Sequence, residues 1–335
     1  MNNWLTLSKE DKINLFNQVS FETGLPPFAI EKDAWVTLVL RMLFSSELNK
    51  HIVFKGGTSL SKCYNLIERF SEDIDFSFDK AYLGFEEDLS KGEIRKLRRA
   101  SHKFTSEVLP VLLTEQFDKY GIDKKHYSLE VPNTKVSDQD PETLLVNYNS
   151  VFDTETYLTS RVQIEIGARF LIEPSETKEV NSIIDIVYPD NNFTEKPFNV
   201  RAASPAKTLL EKLILLHEEF KKPGEKIKHH RMSRHLYDIS KLIETKYFEE
   251  AKNDLTLFKQ ICLHRKQYSP VKPIGIVDYS NLVFGKLEII PPPQILRKYR
   301  DDYNEMRQNM IYGESRSFDD LIKQIATAVK ESRAN

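Results

Sequence analysis

Two carboxylates stand two residues apart at Asp73 and Asp75, alternating with Ile74 and Phe76. On an extended chain the acids leave one face while the apolar pair enters the core. Acids held side by side repel each other unless a cation sits between them, and hard oxygen donors suit magnesium. Just upstream lies a Gly56-Gly57 turn followed by the small hydroxyls of Thr58, Ser59 and Ser61. Glycine lets a backbone approach a phosphate closely, and a helix beginning at about Thr58 would aim its positive end the same way. Residues 54–78 therefore read as short strand, glycine turn, amphipathic helix, turn and second strand. That order suits metal-assisted attack on a phosphoryl centre.

Two-metal chemistry calls for a further carboxylate from a neighbouring strand. Glu165, between Ile164 and Ile166 in RVQIEIGARF, is the leading candidate, and Asp185 in SIIDIVYP competes with it. An ion pair of Glu165 with Arg161 or Arg169 is the plainer explanation of a charge at that position. In SPAKTLLEKLILLHEEF, Lys212 lies at the margin of a leucine stripe, where it could neutralise triphosphate charge or simply snorkel to water. In RMSRHLYDISKLI, Arg234 and Asp238 have the spacing of an ordinary i,i+4 ion pair. His235 has no serine or cysteine nucleophile motif beside it, and His229-His230 show no metal-ligand pattern. The basic stretch 221–228 reads equally as a polyanion-binding loop and as a solvated one.

Helices over residues 8–22 and 27–48, split by Gly24-Leu25-Pro26-Pro27, must precede a strand at 51–55. The charged segment 86–103 leads into a long helix through about Tyr120, its basic run (Lys91, Arg95, Lys96, Arg98, Arg99) forming a solvated face. From Tyr127 to Phe170 the period changes to two, with polar turn chemistry over 133–142, and another strand is expected over 182–188. Helices are expected from Pro205 to about Phe220, from Ser233 to about Lys246, and in a last region ending near Arg333. The expected fold is α+β: a lobe over 1–203 with a mixed sheet flanked by helices, then a mainly helical lobe over 204–335.

With 335 residues, 40% hydrophobic and 29% charged, the chain can bury two modest cores. A formal charge of −2 excludes a uniformly basic nucleic-acid coat while leaving room for a local groove. Cys63 and Cys262 stand alone, so neither a disulfide scaffold nor a zinc site is indicated, which suits a reducing compartment. The longest apolar stretch, 34–44, is broken by Thr37 and Arg41 and is too short to cross a bilayer, and the N-terminus lacks the apolar region of a signal peptide. A cytoplasmic location is expected.

Taken in order, FKGGTSLSK, RFSEDIDFSF, RVQIEIGARF, SPAKTLLEKLILLH and RMSRHLYDISKL resemble the AbiEii/AbiGii-type nucleotidyltransferase toxins of type IV toxin–antitoxin and phage-abortive systems, in the DNA polymerase β-like superfamily. The resemblance runs from Glu31-Lys32-Asp33 to Asp238, with a familiar tail from Tyr279 onward. It implies a polymerase β-like core in which Gly56, Gly57, Thr58 and Ser59 hold nucleotide phosphates. Asp73 and Asp75 would bind magnesium, with Ser71 in the adjoining turn, and Glu165 falls where the third metal carboxylate belongs. Lys212 matches the lysine of the third motif and Asp238 the aspartate of the fourth. The chain departs from the pattern in two places. Fifteen residues separate Gly57 from Asp73, which suggests one extra helical turn, and Arg234-His235 stands where the family often has Arg-Asp.

The resemblance thus implies a magnesium-dependent toxin that moves a nucleoside monophosphate from a triphosphate to an acceptor hydroxyl, with two metal ions. RNA, at the tRNA acceptor end, is the leading acceptor, and a cognate antitoxin would be encoded nearby. Transfer onto a protein or small molecule, and a nucleotide-binding regulatory module without turnover, are the alternatives.

Overall fold

The opening segment is built by its caps. Ser8 accepts from the Asp11 amide to start α1 (Lys9–Thr23), and Gly24 closes it in the left-handed region. Pro27 then opens α2 (Pro27–Phe44), nearly every residue of which is buried. The structure is a computed structural model that describes residues 4–71, 73–86, 88–132, 142–152 and 159–331. It divides into two compact units: Met1–Cys63 with Phe70–Ala203, and Ser204–Asn335 with Tyr64–Arg69.

The first unit is organised around one mixed sheet. Its strands are β1 (Ile52–Lys55), β2 (Asp73–Phe78), β3 (Tyr127–Glu130), β4 (Glu142–Tyr148), β5 (Arg161–Gly167), β6 (Ser175–Val180) and β7 (Phe198–Ala203), in the order β3-β4-β5-β2-β1-β7-β6. The central strands β2 and β5 run parallel, as do β1 and β7, while β1 and β2 are antiparallel. Ile74, Phe76, Ile164 and Ile166 enter the core from β2 and β5, as period-two alternation requires. Trp35 of α2 stacks on Tyr148 of β4 at 5.0 Å between ring centroids.

Between β2 and β3 the chain is helical from α4 (Lys91–Lys103), which opens on a Ser90/Glu93 capping box, to α5 (Leu109–Lys119). A π-helical turn, Phe104–Val108, separates them. Pro110 has no N–H for the Ser106 carbonyl, so the α ladder is broken at that point.

The structure corrects three local expectations. Residues 182–188 are not a strand: Ser182 accepts from the Asp185 amide and caps the short helix α6 (Ile183–Val187). The sheet is extended instead by β6 and β7, whose sequences SETKEV and FNVRAA lack an apolar run, β6 being a polar edge strand. The long spacing between Gly57 and Asp73 is not an extra helical turn, because α3 (Gly56–Lys62) has only seven residues; the surplus chain belongs to the Tyr64–Arg69 segment of the second unit. Residues 133–141 and Arg333 lie outside the described residues.

The second unit is helical: α7 (Pro205–Phe220), α8 (Ser233–Ile243), α9 (Lys246–Asn253), α10 (Leu255–Tyr268), α11 (Pro293–Asn309) and α12 (Phe318–Glu331). Leu209, Leu210, Leu213, Ile214 and Leu216 of α7 are all buried. Asp302 of α11 accepts from the Ser233 amide and hydroxyl and so caps α8. Buried Glu218 is matched by a fork from Arg265 and by the Tyr279 hydroxyl.

Candidate active site

The strand register decides which acids meet. Asp75 of β2 lies opposite Glu165 of β5 on one side and Lys55 of β1 on the other, and Asp73 lies opposite Gln163. Asp73, Asp75 and Glu165 therefore share a face, half-buried, above the core residues Ile74, Phe76 and Ile164. Gln163 Nε2 donates to Glu165 Oε1 at 2.7 Å. Burial pushes the Glu165 carboxyl up to about 7, helped by the Asp75 and Asp73 charges and by a hydrogen bond with Asp75. A carboxyl whose ionisation is resisted beside two others marks a site short of positive charge.

The glycine turn is locked to this cluster. Gly56 has φ +80°, and a Cβ there would collide with Asp75 Oδ2, so only glycine satisfies both the backbone and the approach. Thr58 Oγ1 donates to the Asp73 carbonyl, tying the first turn of α3 to the start of β2. The helix begins at Gly56, two residues earlier than expected, and Gly57, Thr58 and Ser59 are buried in it. At its far end Lys62 is held by Asp33 at 2.5 Å, and the other Asp33 oxygen accepts from the Ile183 amide. Ser71 lies half-buried in the stretch before β2.

Asp185 is not part of this arrangement. One of its oxygens accepts from Ser182 Oγ and the other from the Glu195 amide, so it is committed to the α6 cap. Among the described residues no group of three His, Cys, Asp or Glu side chains forms a ready metal cage. The donor set still fits a divalent ion. Three hard carboxylates share one face, and the suppressed ionisation of Glu165 is what an added cation would relieve.

A second charged cluster lies in the helical unit. Asp238 is fully buried; Arg69 donates to it from Nε at 2.7 Å and Nη2 at 2.8 Å, and Lys212 Nζ sits 2.9 Å from its Oδ2. The Arg69 and Lys212 charges outweigh burial and hold the Asp238 carboxyl well below the usual carboxylate range. Lys212 is buried and does not snorkel; burial lowers its pKa against the pull of Asp238. His235 Nδ1 lies 3.5 Å from Lys212 Nζ, and burial with that neighbouring charge keeps the imidazole neutral far below its ordinary value.

Three participants in these clusters were not picked out from the sequence. Lys55 immediately precedes the glycine turn, and its ammonium lies 3.6 Å from the Phe170 ring centroid. Gln163 and Arg69 have no distinguishing pattern of their own, although Arg69 directly precedes FSEDID. The helical unit also contains a cavity of about 230 Å³ bordered by Tyr237, Lys241, Tyr303, Glu314 and Arg316. Its cations are already paired, Lys241 with Glu68 and Arg316 with Glu244.

A family model described as nucleotidyl transferase AbiEii toxin, type IV TA system, matches residues 38–324. The fold is similar to that of MenT4, a nucleotidyltransferase toxin from Mycobacterium tuberculosis H37Rv, with a TM-score of 0.53 at 15% identity, covering 98% of this chain and 90% of that one. No curated protein sequence matches the chain. Among the described residues no helix is long and apolar enough to cross a membrane.

Proposed function

The chain belongs to the AbiEii family of nucleotidyltransferase toxins of type IV toxin–antitoxin systems, and on that premise we propose that it transfers a nucleoside monophosphate to RNA using the β2–β5 carboxylates. The triphosphate binds against the Gly56-Gly57 turn at the start of α3, with Thr58 and Ser59 in that first turn and Ser71 at the rim. The acceptor hydroxyl oxygen forms a bond to the α-phosphorus as the bond to the bridging α–β oxygen breaks, and pyrophosphate departs. Asp73 or Asp75 takes the hydroxyl proton. Magnesium, in two ions held by Asp73, Asp75 and Glu165, would offset phosphate charge and make the hydroxyl a better nucleophile. Lys212 and Asp238, for which the resemblance implies catalytic roles, form a buried ion pair within the helical unit.

The observation that carries this reading is the register that sets Glu165 opposite Asp75, with Asp73 on the same strand face, beside a glycine turn packed against Asp75. RNA is the acceptor, at the 3′ end of tRNA, on the strength of the family resemblance. A triphosphate substrate suits a cytoplasmic enzyme, and a cognate antitoxin is expected from a neighbouring gene. The test is incubation with each of the four α-labelled triphosphates in total RNA and in total protein. Label is expected in the tRNA fraction and absent with Asp75→Ala. Label in protein or a small molecule would move the acceptor, and no label with any triphosphate would refute turnover.

A further inference from the structure

The strand row that carries Asp75 and Glu165 also carries a cation. Lys55 of β1 pairs with Asp75, Asp75 with Glu165, and Glu165 with Thr143 of β4, so these four side chains leave one face of the sheet. Paired residues on neighbouring strands stand about 5 Å apart, which puts Lys55 one strand beyond the acids. A lysine so placed would ordinarily close onto the nearest carboxylate. Here, among the described residues, Lys55 forms no ion pair, and its ammonium lies 3.6 Å from the Phe170 ring centroid instead. Phe170 comes three residues after the end of β5 and is half-buried, as Lys55 is. Lys55 is also the N-cap of α3, directly before Gly56, where a Cβ would collide with Asp75.

We infer that Lys55 is a catalytic residue that binds the β- and γ-phosphates of the triphosphate, with Phe170 as the positioning residue that holds its ammonium clear of the acids beforehand. Given the function proposed above, on which this assignment rests, the physical reason is the order of charges along the row. A triphosphate reacting over Asp73, Asp75 and Glu165 has its tail over the adjoining glycine turn, and Lys55 is the residue next to that turn. A ring contact is weak beside a charge-assisted bond to a phosphate oxygen, so the ammonium moves from ring to phosphate when the triphosphate binds. An ion pair with Asp75 would instead occupy the carboxylate that a divalent ion needs. As the bond to the bridging α–β oxygen breaks, charge gathers on the departing pyrophosphate. The ammonium stabilises that charge and keeps its own proton.

The test compares binding of a non-hydrolysable triphosphate and the matching monophosphate, each with manganese, to the wild type, Lys55→Met, Lys55→Arg and Phe170→Leu. Manganese binding without nucleotide is followed in parallel by electron paramagnetic resonance. Lys55→Met keeps the aliphatic stem and removes the charge. It should bind the triphosphate about 10- to 100-fold more weakly with monophosphate affinity unchanged, and its kcat should fall as its KM rises. Lys55→Arg should recover most of the triphosphate affinity. Phe170→Leu spares the ammonium and should keep the triphosphate preference, but should weaken manganese binding without nucleotide, because the ammonium then settles against Asp75. A Lys55→Met protein with the wild-type preference would overturn the assignment. So would one whose only change is tighter manganese binding, the mark of a plain counter-ion to Asp75. A wild type that binds no triphosphate removes the proposed function and this assignment together. A wild type that binds it through Lys55 yet labels no acceptor leaves the phosphate site standing and removes the proposed function alone.

Discussion

The two charged clusters are built on opposite balances. On β2 and β5 three carboxylates share one face, and the pKa of one, Glu165, is pushed up to about 7; in the helical unit a single buried carboxylate is met by Arg69 and Lys212. The second cluster satisfies itself: its acid is more ionised than a free aspartate, and Arg69 and Lys212 hold its two oxygens. The first is frustrated as it stands and gains by taking up positive charge. Stored repulsion on a half-buried face marks a place for a ligand, whereas a closed ion pair marks a fixed support.

The largest effect should come from the frustrated cluster's role in turnover. Asp75→Ala should reduce nucleotide transfer by about a thousandfold with the fold intact, as measured by labelled-triphosphate kinetics and circular dichroism. Gly56→Ala should resemble it, because the added carbon collides with Asp75 and the backbone there is left-handed.

Stability should split the clusters next. Asp238→Ala leaves Arg69 and Lys212 facing a buried gap and should cost about 3–5 kcal/mol in urea denaturation. Glu165→Gln should instead stabilise the metal-free protein at pH 8, by about 2 kcal/mol, because it removes a charge that its neighbours repel. Magnesium should then raise the thermal midpoint of the wild type more than that of Glu165→Gln.

The pH dependences should also run in opposite directions. Glu165 has a folded pKa above its ordinary 4.5, so in metal-free protein its contribution is present below pH 4.5 and lost as pH rises to about 7. Asp238 has a folded pKa below its ordinary 3.8, so its contribution is present above that value and lost as pH falls beneath it. His235, held neutral, destabilises the protein as pH falls below 6.5, where only the unfolded chain takes the proton. The smallest expected change is that His235→Asn flattens the stability curve between pH 7 and pH 5, a shift resolvable by thermal melts across that range.

The sequence made the first cluster legible to an unusual depth because strand alternation alone places Asp73, Asp75 and Glu165 on exposed faces. Their meeting needed register, which Ile74 and Ile164 share across β2 and β5 and which no single strand announces. The second cluster was legible only as separate residues. Lys212 and Asp238 stood out by family order, but Arg69, 169 positions before Asp238, could be joined to it only through the fold. Residues 182–188 were misread as a strand for a local reason: SIIDIVYP looks extended until Ser182 is seen capping the Asp185 amide. The polar strands β6 and β7 escaped because hydrophobic periodicity is nearly silent for an edge strand and its neighbour.

The central claim is that the face bearing Asp73, Asp75 and Glu165 takes divalent cations together with a triphosphate. Crystals grown with manganese and a non-hydrolysable triphosphate would test it directly through the anomalous signal. The account predicts anomalous peaks within coordination distance of Asp73 and Asp75, with Glu165 as the added carboxylate and the phosphates against Gly56-Gly57. Manganese and triphosphate bound elsewhere, with those three carboxylates bare, would contradict it.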